Sequence, residues 1–212
     1  ISGFVTQLER RYGELFDERG SRYLQHIVEG AARMRSLIDD LLEYARFLRA
    51  ERDVADVPLD EVVGLVLDRL RTSLDELSAD VQVDPLPVVR GDRAQLQSLL
   101  QNLVANALKF TAPGTAPQVR ISGHVEGHHA VVLVDDAGIG IEPAYRERVF
   151  RMFQRLHVRE AYAGTGIGLA IAQQIVALHD GTISIEDSPL GGARFRVTLP
   201  LARREDDPRD DS

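Results

Sequence analysis

The chain has 212 residues, 44% of them hydrophobic, a formal net charge of -8 and no cysteine. That is enough for one ordinary domain plus a smaller element, and it excludes disulfides, a thiolate nucleophile and a zinc–thiolate site. The acidic balance argues against nucleic acid as a partner, and no stretch reaches the roughly 20 apolar residues of a membrane span.

Glu9 and Arg10 interrupt the first ten residues, so no signal peptide is read there and a cytoplasmic location is expected. Any membrane attachment of the parent protein would lie outside this piece. Ile1, Phe4, Leu8 and Leu15 share one helical face. Asp17-Glu18-Arg19-Gly20 breaks the pattern, and Ser21 is the expected cap of the second helix. Leu24, Ile27, Ala31, Met34, Ile38, Leu41, Ala45 and Leu48 then alternate steps of three and four, a heptad seam. Two helices cannot bury such stripes alone, so residues 1–50 are expected to be an antiparallel hairpin that dimerises as a four-helix bundle, the alternative being two helices packed on the neighbouring domain.

Residues 51–56 are charged and non-periodic and read as a linker to a domain over 57–201. Leu59, Val62, Val63, Val66, Leu70 and Leu74 mark a helix, and Val81 and Val83 a short strand. Asp92 caps a helix running to about Phe110. Residues 118–126 and 130–136 read as strands turned at His128, and another helix is read over about 166–179. Residues 181–186 and 193–201 read as a hairpin turned at Pro189-Leu190-Gly191-Gly192. Helices alternating with hairpin-connected strands predict an α+β fold, a two-layer sandwich with a mixed sheet. Residues 202–212 read as a disordered acidic tail.

Two glycine clusters carry the candidate chemistry. Asp136-Ala137-Gly138-Ile139-Gly140 comes directly after an apolar strand, and Gly164-Thr165-Gly166-Ile167-Gly168 precedes an apolar helix. Glycines admit a ligand close to the backbone, and a glycine-rich turn into a helix makes an anion cradle. Each alone is equally compatible with a plain structural turn. A dinucleotide fingerprint is excluded because its third glycine would fall at Pro143, and no Gly-Lys-Ser/Thr exists for a P-loop. On the preceding helix Asn102, Asn106 and Lys109 share a face. That face is either solvated surface or a site in which Asn106 gives Mg²⁺ an oxygen ligand and Lys109 neutralises phosphate.

These residues resemble a family. Asn102-Leu103-Val104-Ala105-Asn106-Ala107-Leu108-Lys109-Phe110-Thr111 is similar to the N box of sensor histidine kinases. Asp136 to Gly140 resembles their G1 box, Phe150-Arg151-Met152-Phe153 the F box, and Gly164 to Gly168 the G2 box, all in the family's order. The hairpin resembles the family's dimerisation and phosphotransfer domain, with wording nearest to phytochrome-like and PAS-linked kinases. The resemblance implies the Bergerat ATP-binding sandwich shared with gyrase, Hsp90 and MutL, with ATP and Mg²⁺ as cofactors. It implies that Asp136 accepts from the adenine amino group while Gly138 and Gly140 let the chain pass the base. Phe153 to Thr165 would form a lid over the nucleotide, with Arg155 toward the γ-phosphate and Gly164, Gly166 and Gly168 as hinges and N–H donors. Asn102 stands where hydrolytic relatives carry a glutamate. An amide cannot act as a base, so transfer to an acceptor is favoured over hydrolysis.

The implied partners are a second copy through the hairpin, a response-regulator receiver domain and an upstream sensor domain. The family's acceptor histidine opens the first hairpin helix, and Ile1-Ser2-Gly3-Phe4 resembles the residues just after that motif, so the acceptor is expected upstream. The chain is therefore expected to bind ATP without phosphorylating itself. His26 lies on the second helix and is not expected to substitute. His124, His128 and His129 could suggest a metal but lack carboxylates at ligand spacing and read as an exposed turn, His157 reads as part of the lid, and His179 as a helix cap, where a cation suits the dipole. Asp180 stands where many relatives have glycine, which implies a locally altered turn. The rival readings are a hydrolytic ATPase and a module with mainly phosphatase or scaffold output.

Overall fold

The computed structural model describes residues 2–49, 52–154 and 165–202. The hairpin consists of α1 (Ser2–Tyr12) and α2 (Glu18–Arg49), joined through a single 3-10 turn. Helix α2 starts three residues before Ser21. Its first turn is held by Asp17, whose Oδ1 accepts from the Gly20 N–H at 2.7 Å. The expected cap at Ser21 is corrected accordingly, because a carboxylate one residue before the helix reaches the free donors of its first turn. Val5 and Leu24 are buried, whereas Phe4, Leu8, Ile27, Met34, Ile38 and Leu41 stay exposed. Among the described side chains, the hairpin by itself leaves most of its apolar seam facing solvent.

The next strand begins inside the segment that reads as linker. Strand β1 (Val54–Pro58) pairs antiparallel with β3 (Val88–Asp92), Val54 opposite Asp92 and Pro58 opposite Val88. Neither strand is read from the sequence. Each is five residues long, β1 ends on Pro58 and β3 follows Pro87, and only Val57, Val89 and Gly91 of the pair are buried. A signal so short and so little alternating is set by the distant partner strand and not by local pattern.

Helix α3 (Leu59–Leu77) turns Leu59, Val62, Val63 and Val66 inward. It ends on Ser78 in the left-handed region (φ 50°), from which the chain enters β2 (Asp80–Val83). Helix α4 (Arg93–Lys109) starts at Asp92, whose Oδ1 accepts from the N–H groups of Ala94 (2.9 Å) and Gln95 (3.0 Å). Strands β4 (Gln118–Glu126) and β5 (His129–Asp136) form the expected hairpin, with Gly127 at positive φ in its turn. Helix α5 (Gly168–Leu178) and the hairpin of β6 (Thr182–Asp187) and β7 (Ala193–Pro200) complete the chain.

The main sheet has the order β2-β4-β5-β7-β6, with β2 parallel to β4 and the other pairs antiparallel. It is mixed, as the sequence predicts. Ile121, Val132, Val134, Phe195, Val197 and Leu199 from the sheet share one core with Leu96, Leu99, Leu103, Ile171 and Ile175 from α4 and α5. Two layers result because each helix has one apolar stripe and the sheet one apolar face to cover it. Helix α2 touches this unit at Leu37, which packs on the core.

Candidate nucleotide-binding site

Asp136 closes β5 with its side chain almost wholly buried, at 5% exposure. Its Oδ1 accepts from the Gly138 N–H at 2.8 Å and from the Ala193 N–H at 2.9 Å, and its carbonyl accepts from the Gly192 N–H at 3.1 Å. Both side-chain bonds fall on one oxygen, so Oδ2 keeps its acceptor capacity for a ligand. Burial pushes the Asp136 carboxyl above its usual range; the two backbone donors pull it back, and the neighbouring Asp135 adds to the rise. Asp135 is itself neutralised by Arg194, Nε to Oδ1 at 2.8 Å and Nη2 to Oδ2 at 3.1 Å. That forked pair raises the Arg194 pKa, so the guanidinium stays charged.

The sequence reading passes over Gly192, giving it only a place in a turn. A Cβ there would lie 2.0 Å from Asp136 Oδ1 and 2.4 Å from the Gly138 nitrogen. No side chain fits, so the β6–β7 turn is the wall that sets the carboxylate's orientation. The one signal in the sequence is the pair Gly191-Gly192, which a hairpin turn explains equally well. At Gly138 a Cβ would meet the Phe110 carbonyl at 2.4 Å, and the Ile139 N–H donates to that same carbonyl at 3.0 Å. The loop after β5 is thus fastened to the end of α4. Gly140 takes φ +70°, which its lack of a Cβ permits.

Asn102, Asn106 and Lys109 are all half-buried, not solvated surface. Asn102 Nδ2 donates to the Ser98 carbonyl at 3.0 Å, and a Cβ on Gly168 would come within 2.6 Å of Asn102 Oδ1. Asn102 therefore packs against the start of α5. Lys109 lies over the Phe110 ring, 4.5 Å from its centre. The Phe153 N–H donates to the Gly166 carbonyl at 3.1 Å. Phe153 itself takes φ 63°, an uncommon conformation for an aromatic residue, while Gly166 takes φ +78°. Thr165 Oγ1 accepts from the Ile167 N–H at 3.4 Å. Arg155, His157 and Gly164, with most of the expected lid, lie outside the described residues.

His179 keeps its expected place as the cap that ends α5, but not the expected charge. It is buried, its Nδ1–H donates to the Ile175 carbonyl at 2.8 Å, and its Nε2 accepts from the Asp92 N–H at 2.9 Å. One nitrogen donating and one accepting define a neutral ring, not a cation at a helix end. Asp180, which follows it, takes φ 54°, the left-handed conformation that glycine adopts without penalty.

Residues 91–203, more than half of the chain, match the family described as histidine kinase-, DNA gyrase B- and HSP90-like ATPases. The chain belongs to this family. Among curated proteins it is 38% identical over 201 residues to the phytochrome-like protein Cph1 of Synechocystis sp., covering 95% of this chain and 27% of that protein. It is 34% identical over 185 residues to the sensor-like histidine kinase SenX3 of Mycobacterium tuberculosis, covering 84% of the chain and 45% of SenX3. The chain therefore spans between about a quarter and a half of these relatives. Among solved structures, full-length ShkA in complex with AMPPNP has a TM-score of 0.69 at 26% identity, over 96% of this chain and 43% of that one. The mycobacterial sensor histidine kinase MprB has a TM-score of 0.58 at 29% identity, over 71% of this chain and 97% of that one. No described helix of this family member is long and apolar enough to cross a membrane.

Proposed function

We propose that the chain is the ATP-binding catalytic domain and part of the dimerising hairpin of a sensor histidine kinase, and that it transfers the γ-phosphate of ATP to a histidine. The observation that carries the nucleotide reading is the buried Asp136, with one oxygen held by two N–H groups and the other free to accept from an adenine amino group. Gly138 and Gly140 let the backbone pass beside the base. Magnesium fits the donor set, since it keeps waters and substrate phosphates as ligands and needs little more than one neutral protein oxygen, that of Asn106. Bound there it would neutralise phosphate charge. Lys109 and Arg155 serve the phosphates, Phe153 flanks the nucleotide, and Gly164, Thr165, Gly166 and Gly168 offer N–H groups at the start of α5.

Transfer is favoured over hydrolysis by Asn102, whose amide nitrogen is bonded to the Ser98 carbonyl and provides no base for water. The reaction is an in-line displacement: an imidazole nitrogen forms the new P–N bond, the γ-phosphorus–oxygen bond breaks, and ADP leaves. A response-regulator receiver domain would then take the phosphoryl group, and an upstream sensor domain would set the rate. The test is incubation with radiolabelled ATP and a separate hairpin that includes the segment upstream of Ile1. Acid-labile, base-stable label on that hairpin is expected, and none on this chain. Rapid release of free phosphate with no protein label would instead establish an ATPase. Label on this chain abolished by His26→Gln would move the acceptor to α2.

A further inference from the structure

Helices α4 and α5 are fastened to each other at both ends. Toward one end Asn102 packs on Gly168, the first residue of α5, and Asn106 and Lys109 follow on the last turns of α4. At the other end the Asp92 N–H, which precedes α4, donates to His179, which ends α5. Gly91 makes that approach possible, because a Cβ on it would lie 2.7 Å from the His179 ring. The linker is tied into the same joint. The Asp53 N–H donates to Asp92 Oδ2 at 3.0 Å, and an Arg52 Nη1–H donates to the carbonyl of Leu178, the last residue of α5. Asp92 thus uses one carboxylate oxygen to cap α4 and the other to hold the linker.

We propose that Arg52 is a positioning residue for the nucleotide site: with Asp53 it clips the linker onto the Asp92–His179 joint, so that the linker's placement sets the attitude of the α4–α5 pair. The inference rests on the reading of this site as nucleotide-binding. A guanidinium at a helix C-terminus satisfies a carbonyl that has no partner within the helix and complements the dipole. Leverage makes the joint consequential. From Asp92 to Asn106 the helix extends about 21 Å, so a tilt of about 5° at the joint moves the phosphate end by about 2 Å. Displacements of that size are large for groups that position phosphates. Hairpin and nucleotide site are thereby connected through two helices and three hydrogen bonds, with no need for the hairpin to touch ATP.

The full 212-residue chain provides the test, with a fluorescent ATP analogue and Mg²⁺ as the probe. Arg52→Ala should weaken binding by about three- to tenfold, with its melting temperature within about 4 °C of the wild type because an exposed helix-end cation contributes little stability. Arg52→Lys, which retains a donor, should restore affinity to within about twofold. Asp92→Ser, which still caps α4 but has no second oxygen for Asp53, should reproduce the loss. Wild-type affinity in both Arg52→Ala and Asp92→Ser would overturn the proposal, as would an equal loss in Arg52→Lys. Failure of the unaltered chain to bind the analogue would instead overturn the nucleotide reading.

Discussion

Asp136 shows how completely one side chain can be constrained by backbone. With Oδ1 held by two N–H donors, Asp136→Asn must place its amide oxygen there and turn its NH₂ toward the ligand. A donor would then face the adenine amino group, so affinity for a fluorescent ATP analogue should fall about ten- to hundredfold, the loss of roughly 1.5–3 kcal/mol for a charge-assisted bond. The nucleotide-free variant should melt no lower than the wild type at neutral pH, since an amide avoids the cost of burying charge. The direction of the Asp136 shift fixes the pH dependence. A carboxyl raised by burial binds its proton at higher pH than an ordinary aspartate, so affinity should decline on acidification at a pH above the range of an ordinary aspartate. The same raised carboxyl lowers the stability of the free protein as pH rises through that window. Gly192→Ala attacks the site from the other side. Its Cβ would overlap Asp136 Oδ1, so both affinity and stability should drop, the latter by about 1–3 kcal/mol in a thermal melt. Unchanged affinity in Gly192→Ala would remove the β6–β7 turn from the site.

At the scale of elements, caps and helix ends explain more than propensity does. Asp92 caps α4 as its position in the sequence predicts, and the same side chain anchors a linker whose contact no local pattern announces. The end of α5 is less well adapted. Asp180 adopts φ 54° where glycine carries no Cβ penalty, and the Gly181 N–H donates back to the Val176 carbonyl at 2.9 Å to close the turn. Asp180→Gly should therefore stabilise the chain by up to about 1 kcal/mol, raising the melting temperature by about 2–4 °C. A lowered melting temperature would show that the aspartate makes a compensating interaction. His179 is expected to respond in the opposite sense. His179→Ala removes one buried and one part-buried hydrogen bond and leaves the Asp92 N–H without its partner, at a cost of about 1–3 kcal/mol by denaturant titration.

For the whole molecule the unfinished surface is the hairpin. Ile27, Met34, Ile38 and Leu41 remain about half exposed on α2, whereas the adjacent Leu37 packs on the core of the α/β unit. A second copy covering that seam would leave the Leu37 contact in place. Ile38→Glu should weaken self-association by roughly tenfold or more in sedimentation experiments, by placing a charge in the seam, and should leave nucleotide affinity unchanged. Equal association of the variant would move the interface elsewhere. The sequence by itself determined the long elements and singled out the candidate site residues. Helices α2, α3 and α4 and strands β4 to β7 each carry enough periodic apolar residues to be read locally, and the glycine clusters and Asn102, Asn106, Lys109 and Asp136 stand out by residue type. Only the tertiary structure decided the rest. Strands β1 and β3 exist because they pair across more than thirty residues, Gly192 matters because Asp136 arrives beside it from another strand, and His179 is neutral because Asp92 meets its second nitrogen. Each of these depends on a partner distant in sequence, and a local pattern records a residue's own preferences but not the group that will be brought against it.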